Sequence, residues 1–220
     1  MVAYLRKGET YTDLARGFAI GVSTVYRYLR EGIDLLAALA PTLEEAMAVA
    51  RGKAYTIIDG SLLHIDRVAM ASGNDRPYHS GKHKCHGVNV QVISDPLGRL
   101  IWVSPPLPGA RHDLGAARDH GILDAMQTAD VRALGDTGYQ GAGPAVTVPQ
   151  RRRRKDPATG KYRPLSAAQK DVNTAHARLR GPGERANAEL KSWKILRKIR
   201  SSPNQATALV NAVQTLILAG

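Results

Sequence analysis

Cysteine is all but missing from this chain: Cys85 is the only one in 220 residues. That excludes internal disulfides and thiolate metal clusters and fits a reducing compartment. No apolar run approaches the roughly 20 residues a helix needs to cross a bilayer. The opening MVAYLRKGETYTDL lacks the apolar centre of a signal peptide, so the chain is expected to stay where it is made, in the cytoplasm. Tryptophans are few, and Trp102 and Trp193 read as core residues rather than base-stacking platforms. Acidic residues are also in short supply, with 19 Asp and Glu against 31 Lys and Arg, a net charge of +12 and a pI near 10.1. Such a surface favours a polyanionic partner, most often nucleic acid, because neutralised phosphates release counterions. The charge is concentrated late in the chain, in RRRRKDPATGKYR (151–163) and KSWKILRKIR (191–200).

What is present divides into two textures. In the first, Leu14, Ala15 and Phe18 recur at helical spacing, the chain breaks at Gly21, and Ser23 is expected to cap a second helix bearing Val25, Tyr28, Leu29, Ile33 and Leu36. Two short helices around a Gly-containing turn predict a helix-turn-helix over residues 1–50. Ser23, Thr24, Arg27 and Arg30 would then face a major groove. An ordinary helical hairpin is the alternative.

The second texture, residues 51–220, begins with the β-branched run AYTIIDG and the alternating HGVNVQVISDPLGRLIWVSPP, a hairpin around 95–98. HDLGAARDHGILDAM reads as helix, VRALGD as a further short strand, and the remainder as helices. The order predicts an α/β domain: a mixed sheet flanked by helices and preceded by the small all-α module.

Two of the expected strands end in a carboxylate, Asp59 and Asp136, at the rim where α/β proteins place ligands. A hard divalent cation wants oxygen donors, so a third acid is sought. Glu184 follows the break Gly181-Pro182-Gly183 and opens a helix among Arg180, Arg185 and Lys191. Asp113, at a loop-to-helix turn, reads mainly as an N-cap and is the lesser catalytic candidate. Lys82 and His83, in SGKHK, are further candidates for DNA contact, with a loop of solvated cations as the alternative. Gly138 and Gly141 would let backbone approach DNA closely, and Tyr139 is expected to pack beneath the site.

These segments together resemble a transposase of the insertion-sequence 5 family, a DDE enzyme related to the Harbinger group. The matching residues are Asp59-Gly60, YHSGKHKCHGVNVQVISDPLGRLIWVS, PGARHDLGA, GDTGYQG and ARLRGPGERANAELKSWKILR. Arg180, Glu184 and Lys191 fit the family's C-terminal signature, three residues separating the first two and six the last two; its tyrosine falls on Ala177. The resemblance implies a ribonuclease-H-like core in which Asp59, Asp136 and Glu184 hold two Mg²⁺ ions, for which Mn²⁺ substitutes, and Arg180 and Lys191 contact the substrate strands. It implies cleavage and strand transfer at the terminal inverted repeats of an insertion sequence, into target DNA, by a homodimer associated with the bacterial nucleoid. Relatives carry more residues before YLRKGETY, so the recognition module is expected to lack its first helix. A helix-turn-helix regulator, or a domesticated relative that binds DNA without cutting it, remains the alternative; a stand-alone nuclease of the same fold is another.

Overall fold

The computed structural model describes residues 1–65, 76–152, 155–200 and 203–220. Helices α1 (Val2–Lys7), α2 (Tyr11–Phe18), α3 (Val22–Ala38) and α4 (Leu43–Arg51) come first. Strand β1 (Thr56–His64) leads into β2 (His79–Ser80), β3 (Cys85–Ser94), β4 (Leu100–Val103) and β5 (Leu107–Pro108). Helices α5 (Asp113–Asp119) and α6 (Ile122–Thr128) cross to β6 (Ala133–Leu134) and β7 (Val146–Thr147). Four helices close the chain: α7 (Ala167–Arg180), α8 (Gly183–Ser192), α9 (Lys194–Arg197) and α10 (Pro203–Ala219).

The sheet runs β2-β3-β1-β6-β7, with β4 and β5 also paired to β3. β1 and β3 are antiparallel from Ile57↔Ser94 to His64↔Gly87, whereas β6 is parallel to β1 and β7 to β6. Strand periodicity sends alternate residues to opposite layers. Val88, Val90 and Val92 enter one core with α1–α3 and α8–α10; Ile93 and Ile58 enter another with α4–α6. The mixed α/β expectation holds: this is a mixed sheet with helices on both faces.

The N-terminal module follows its apolar pattern except at Phe18 and Tyr28, which were expected on the packed face and are exposed. Leu14, Ala15, Val25, Leu29 and Ile33 are buried, each large aliphatic contributing roughly 1.5–3 kcal/mol. Thr10 caps α2 by accepting from the Asp13 amide, and Ala19 adopts a left-handed conformation (φ 53°) to turn the chain into α3. Two details depart from expectation. α3 begins at Val22 with Gly21 in the capping position, so Ser23 lies inside the helix rather than at its cap. The short α1 precedes the pair and buries Leu5 completely, so the module has three helices where two were expected.

A third difference is functional. Asp59 does not end its strand; β1 continues to His64, because β3 pairs with it along that whole length. β6 is the shorter neighbour, and its pairing stops at Leu134, opposite Ile57. The local rim is therefore on the β6 side of β1.

Candidate functional site

The parallel register brings two acids together. Two residues beyond the last Ile57–Leu134 pair stand Asp59 on β1 and Asp136 on the segment leaving β6. Asp136 turns that segment into a single 3-10 turn, Thr137–Tyr139, its Oδ1 accepting from the Gly138 amide at 2.7 Å. Tyr139 is completely buried beneath, as the sequence suggested.

On one face of β1 the site is walled by α8. Close approach is set by glycines: a Cβ at Gly183 would lie 2.5 Å from Ile57 Cγ2. At Gly98 (φ +78°), in the β3–β4 turn, a Cβ would lie 2.0 Å from the Pro182 carbonyl. Asn187 of α8 donates from Nδ2 to Asp59 Oδ2 at 2.9 Å, and Arg180 Nη1 stands 3.8 Å from the same oxygen. Burial pushes the Asp59 carboxyl up to about 6; Asp136 and Asp113 push the same way, and Arg180 opposes them. The Asn187 Oδ1 is buried without a hydrogen-bond partner among the described residues. Burial also lowers the Lys191 ammonium, with the Asp59 charge acting against it.

Glu184 lies in the first turn of α8 and is exposed; its amide donates to the Gly181 carbonyl at 3.2 Å, while its side chain makes no hydrogen bond or ion pair among the described residues. It shares a helix edge with Asn187, three residues on. Asn187, rather than Glu184, is the α8 side chain that touches Asp59.

The opposite face of β1 carries Asp113, and here the sequence reading needs correction. Asp113 is the first residue of α5, and His112 occupies the cap position. The Asp113 carboxylate does not cap the helix; it reaches across to β1 into the space left by Gly60, where a Cβ would lie 2.0 Å from its Oδ1. Asn89 of β3 donates to that oxygen at 2.8 Å, and Lys82 stands 3.9 Å from Oδ2. Asp113 Oδ2 and Asp136 Oδ1 flank one position beside Gly138, at 3.4 and 2.8 Å from a Cβ built there. Gly138 thus leaves room for two carboxylates.

Lys82, Lys191 and Asp113 all act on the His83 imidazole, whose pKa is lowered chiefly by burial, so this loop cation cluster borders the acids. Of the expected site residues, Asp59, Asp113, Asp136, Arg180, Lys82, His83 and Lys191 therefore converge, and Glu184 sits at the edge. Sequence reading missed Asn89, Gln91 and Asn187. Asn89 and Gln91 could have been found: they alternate with valines in VNVQV, which puts two amides on a buried sheet face.

Ser23, Arg27 and Arg30 are exposed on α3 and Thr24 is half-buried. The Arg27 guanidinium lies 5.3 Å over the Tyr28 ring. Between this module and α9 opens a cavity of about 720 Å³, lined by Tyr4, Tyr11, Tyr26, Lys7, Lys194 and Arg197 among others. Arg151 and Arg152 of the basic run are exposed; Arg153 and Arg154 lie outside the described residues. Among the described residues no helix is long and apolar enough to cross a membrane.

The side chains facing the acidic site offer hard oxygen: the Asp59, Asp113 and Asp136 carboxylates, and the Asn187 carbonyl beside Asp59. That chemistry fits a hard divalent cation, and a cation would offset the burial, and after it the neighbouring negative charge, that raise Asp59. Among the described residues, no three His, Cys, Asp or Glu side chains are already drawn together as a metal-binding group.

A family described as DDE superfamily endonuclease matches residues 58–217, and the helix-turn-helix of DDE superfamily endonuclease matches residues 1–42. Across 201 residues the chain is 27% identical to a Streptomyces albus G protein named "Putative transposase for insertion sequence element IS112", covering 91% of this chain and 70% of that protein. No solved structure matches.

Proposed function

The chain belongs to the DDE superfamily of endonucleases, and from that premise we propose that it is a transposase, of the insertion-sequence 5 type, that cleaves and joins DNA at the ends of an insertion sequence. The observation that carries the reading is the convergence of Asp59 and Asp136 at the end of the β6 pairing, bordered by Arg180, Lys191 and Lys82. The Streptomyces relative supports the transposase assignment.

In this reading Asp59 and Asp136 hold two Mg²⁺ ions, with Glu184 completing the donor set from the exposed edge of α8. Divalent cations, when bound, supply Lewis-acid activation of the attacking oxygen and stabilise the leaving one. Arg180 holds Asp59 Oδ2 and neutralises negative charge next to it. Lys191, Lys82 and His83 gather the scissile strand by its phosphates. Ser23, Thr24 and Arg27 on α3 read the terminal inverted repeat, and two copies of the chain synapse the two ends with the target. Residues 1–50 serve recognition and 51–220 catalysis.

The test is cleavage of labelled DNA carrying the element's ends, with and without Mg²⁺, by the natural chain and by Glu184→Gln. Metal-dependent cleavage that vanishes in Glu184→Gln while DNA binding persists is the expected outcome. Tight binding with no cleavage by either protein would instead mark a DNA-binding relative without nuclease activity.

A further inference from the structure

The hydrogen bonds on the α5 face of the sheet form a single directed chain. The Tyr139 hydroxyl donates to Gln91 Oε1 at 2.5 Å, Gln91 Nε2 donates to Asn89 Oδ1 at 2.9 Å, and Asn89 Nδ2 donates to Asp113 Oδ1 at 2.8 Å. Asn89 Nδ2 also donates to the Arg111 carbonyl at 2.9 Å. Two acceptors that cannot donate, a carboxylate and a backbone carbonyl, thus fix the Asn89 amide; its oxygen then fixes Gln91, and Gln91 fixes the tyrosine proton. No amide can be turned over without opposing two donors or two acceptors.

The chain is also costly to bury. Asn89 is 7% exposed, and Gln91 and Tyr139 are 0%. The other face of the same strand is plain Val88, Val90 and Val92. Buried amides stabilise only when every member is satisfied, and here the chain of bonds is continuous. Its two ends are informative. Tyr139 closes the turn that Asp136 opens, and Asp113 is the carboxylate admitted by Gly60. The relay therefore ties together two acidic side chains that are far apart in sequence.

We propose that the Tyr139–Gln91–Asn89 relay is a positioning device that fixes the Asp113 carboxylate against the Asp136 turn, making Asp113 a further cation-holding carboxylate presented from the α5 face. Asn89, Gln91 and Tyr139 act through Asp113 and the turn rather than on substrate. The inference rests on the endonuclease reading of the acidic site, and the experiment separates the two.

The measurement is Mn²⁺ binding to the full chain by calorimetry, with DNA affinity and thermal stability recorded in parallel. Asp113→Asn keeps an oxygen that accepts from Asn89, so the relay and the fold persist while the charge is lost; Mn²⁺ affinity should fall at least about 10-fold. Asn89→Leu removes the donor and leaves the charge, and should weaken Mn²⁺ by about 10-fold as loss of an orienting partner does. DNA affinity should stay unchanged in both. Wild-type Mn²⁺ affinity in Asp113→Asn overturns the proposal, and so does wild-type affinity in a folded Asn89→Leu. Asp59→Asn is the control. Affinity lost there but kept in Asp113→Asn sinks this inference alone, whereas affinity kept in both sinks the endonuclease reading beneath it.

Discussion

Asp59 and Gly60 are neighbours on one strand, yet the two faces they mark hold their carboxylates in opposite ways. On the α8 face, Asp59 is half-buried, has the Asn187 side-chain amide as a donor and a guanidinium at 3.8 Å, and lies beside an Asn187 carbonyl with no partner among the described residues. On the α5 face, Asp113 is received by an absent side chain and a continuous relay. One acid is held against its own burial; the other is seated. The difference teaches that the cost of holding an ionised carboxylate is concentrated on Asp59, while geometric definition comes from across the sheet.

The largest effect should come from removing the strained acid. Asp59→Asn should lower cleavage by at least about 100-fold, as loss of a charged ligand does. In metal-free buffer it should also raise stability, and the sign follows from linkage. The folded-state pKa of Asp59 is raised from 3.8 to about 6, so its favourable contribution is complete below pH 3.8 and is lost as pH rises through 6. At pH 7.5 the ionised group costs about 3 kcal/mol, an order-of-magnitude figure. Denaturant midpoints of the two proteins should separate at pH 7.5 and converge near pH 4. Midpoints that differ equally at both pH values would remove Asp59 from its role as the strained group.

Next in size is a substitution that breaks the seat on the other face. A Cβ at Gly60 would lie 2.0 Å from Asp113 Oδ1 and 2.3 Å from its Cγ, so Gly60→Ala must expel that carboxylate from beside Asn89. Overpacking of this kind costs about 1–3 kcal/mol, with a smaller entropic gain from replacing glycine. Urea denaturation should show a net loss of about 1–2 kcal/mol. Asp113→Asn made together with Gly60→Ala should add little further loss of metal affinity, because the carboxylate is already displaced.

How much of this was legible in the sequence depends on whether the signal was local. The helix-turn-helix spacing, the Asp95–Gly98 hairpin and the helix beginning at Gly183 each rest on residues close together, and each is present. The end of β1 was misread because Asp-Gly reads as a stop, whereas β3 holds the strand straight through it. Asp113 was misread for a related reason. An acid at a helix start looks like a cap, and only the cross-sheet geometry shows Gly60 making room for it. Glu184 matched a family spacing, but which residue of α8 meets Asp59 depends on helix rotation, set by Gly183 against Ile57. Spacing places an element; rotation assigns its side chains.

A milder change sharpens the comparison by touching only the relay's far end. Tyr139→Phe deletes one hydroxyl in a fully buried position and leaves Gln91 Oε1 without its donor. The expected loss is about 1–3 kcal/mol of stability, the range for a stranded buried acceptor. Mn²⁺ affinity should fall less than in Asn89→Leu, since the bond to Asp113 itself survives. A Tyr139→Phe protein with unchanged midpoint would mean the tyrosine does not anchor the chain.

The smallest effects belong to the cations, and they too should differ between faces. Lys82 is 67% exposed on its side chain and 3.9 Å from Asp113, so solvent screens the pair, and Lys82→Ala should change stability by less than about 1 kcal/mol. Arg180 and Asp59 are each 22% exposed, and Arg180 is the main influence holding the Asp59 pKa down. Arg180→Ala should therefore move the pH window of stability loss above 6, measured by thermal unfolding across pH 4–9, whereas Lys82→Ala should leave that window in place. Both substitutions should weaken DNA binding, and each should lower the salt-dependence slope by about one if its cation neutralises a phosphate. A slope unchanged in Lys82→Ala would take the loop cation off the DNA path while leaving the seated carboxylate behind it intact.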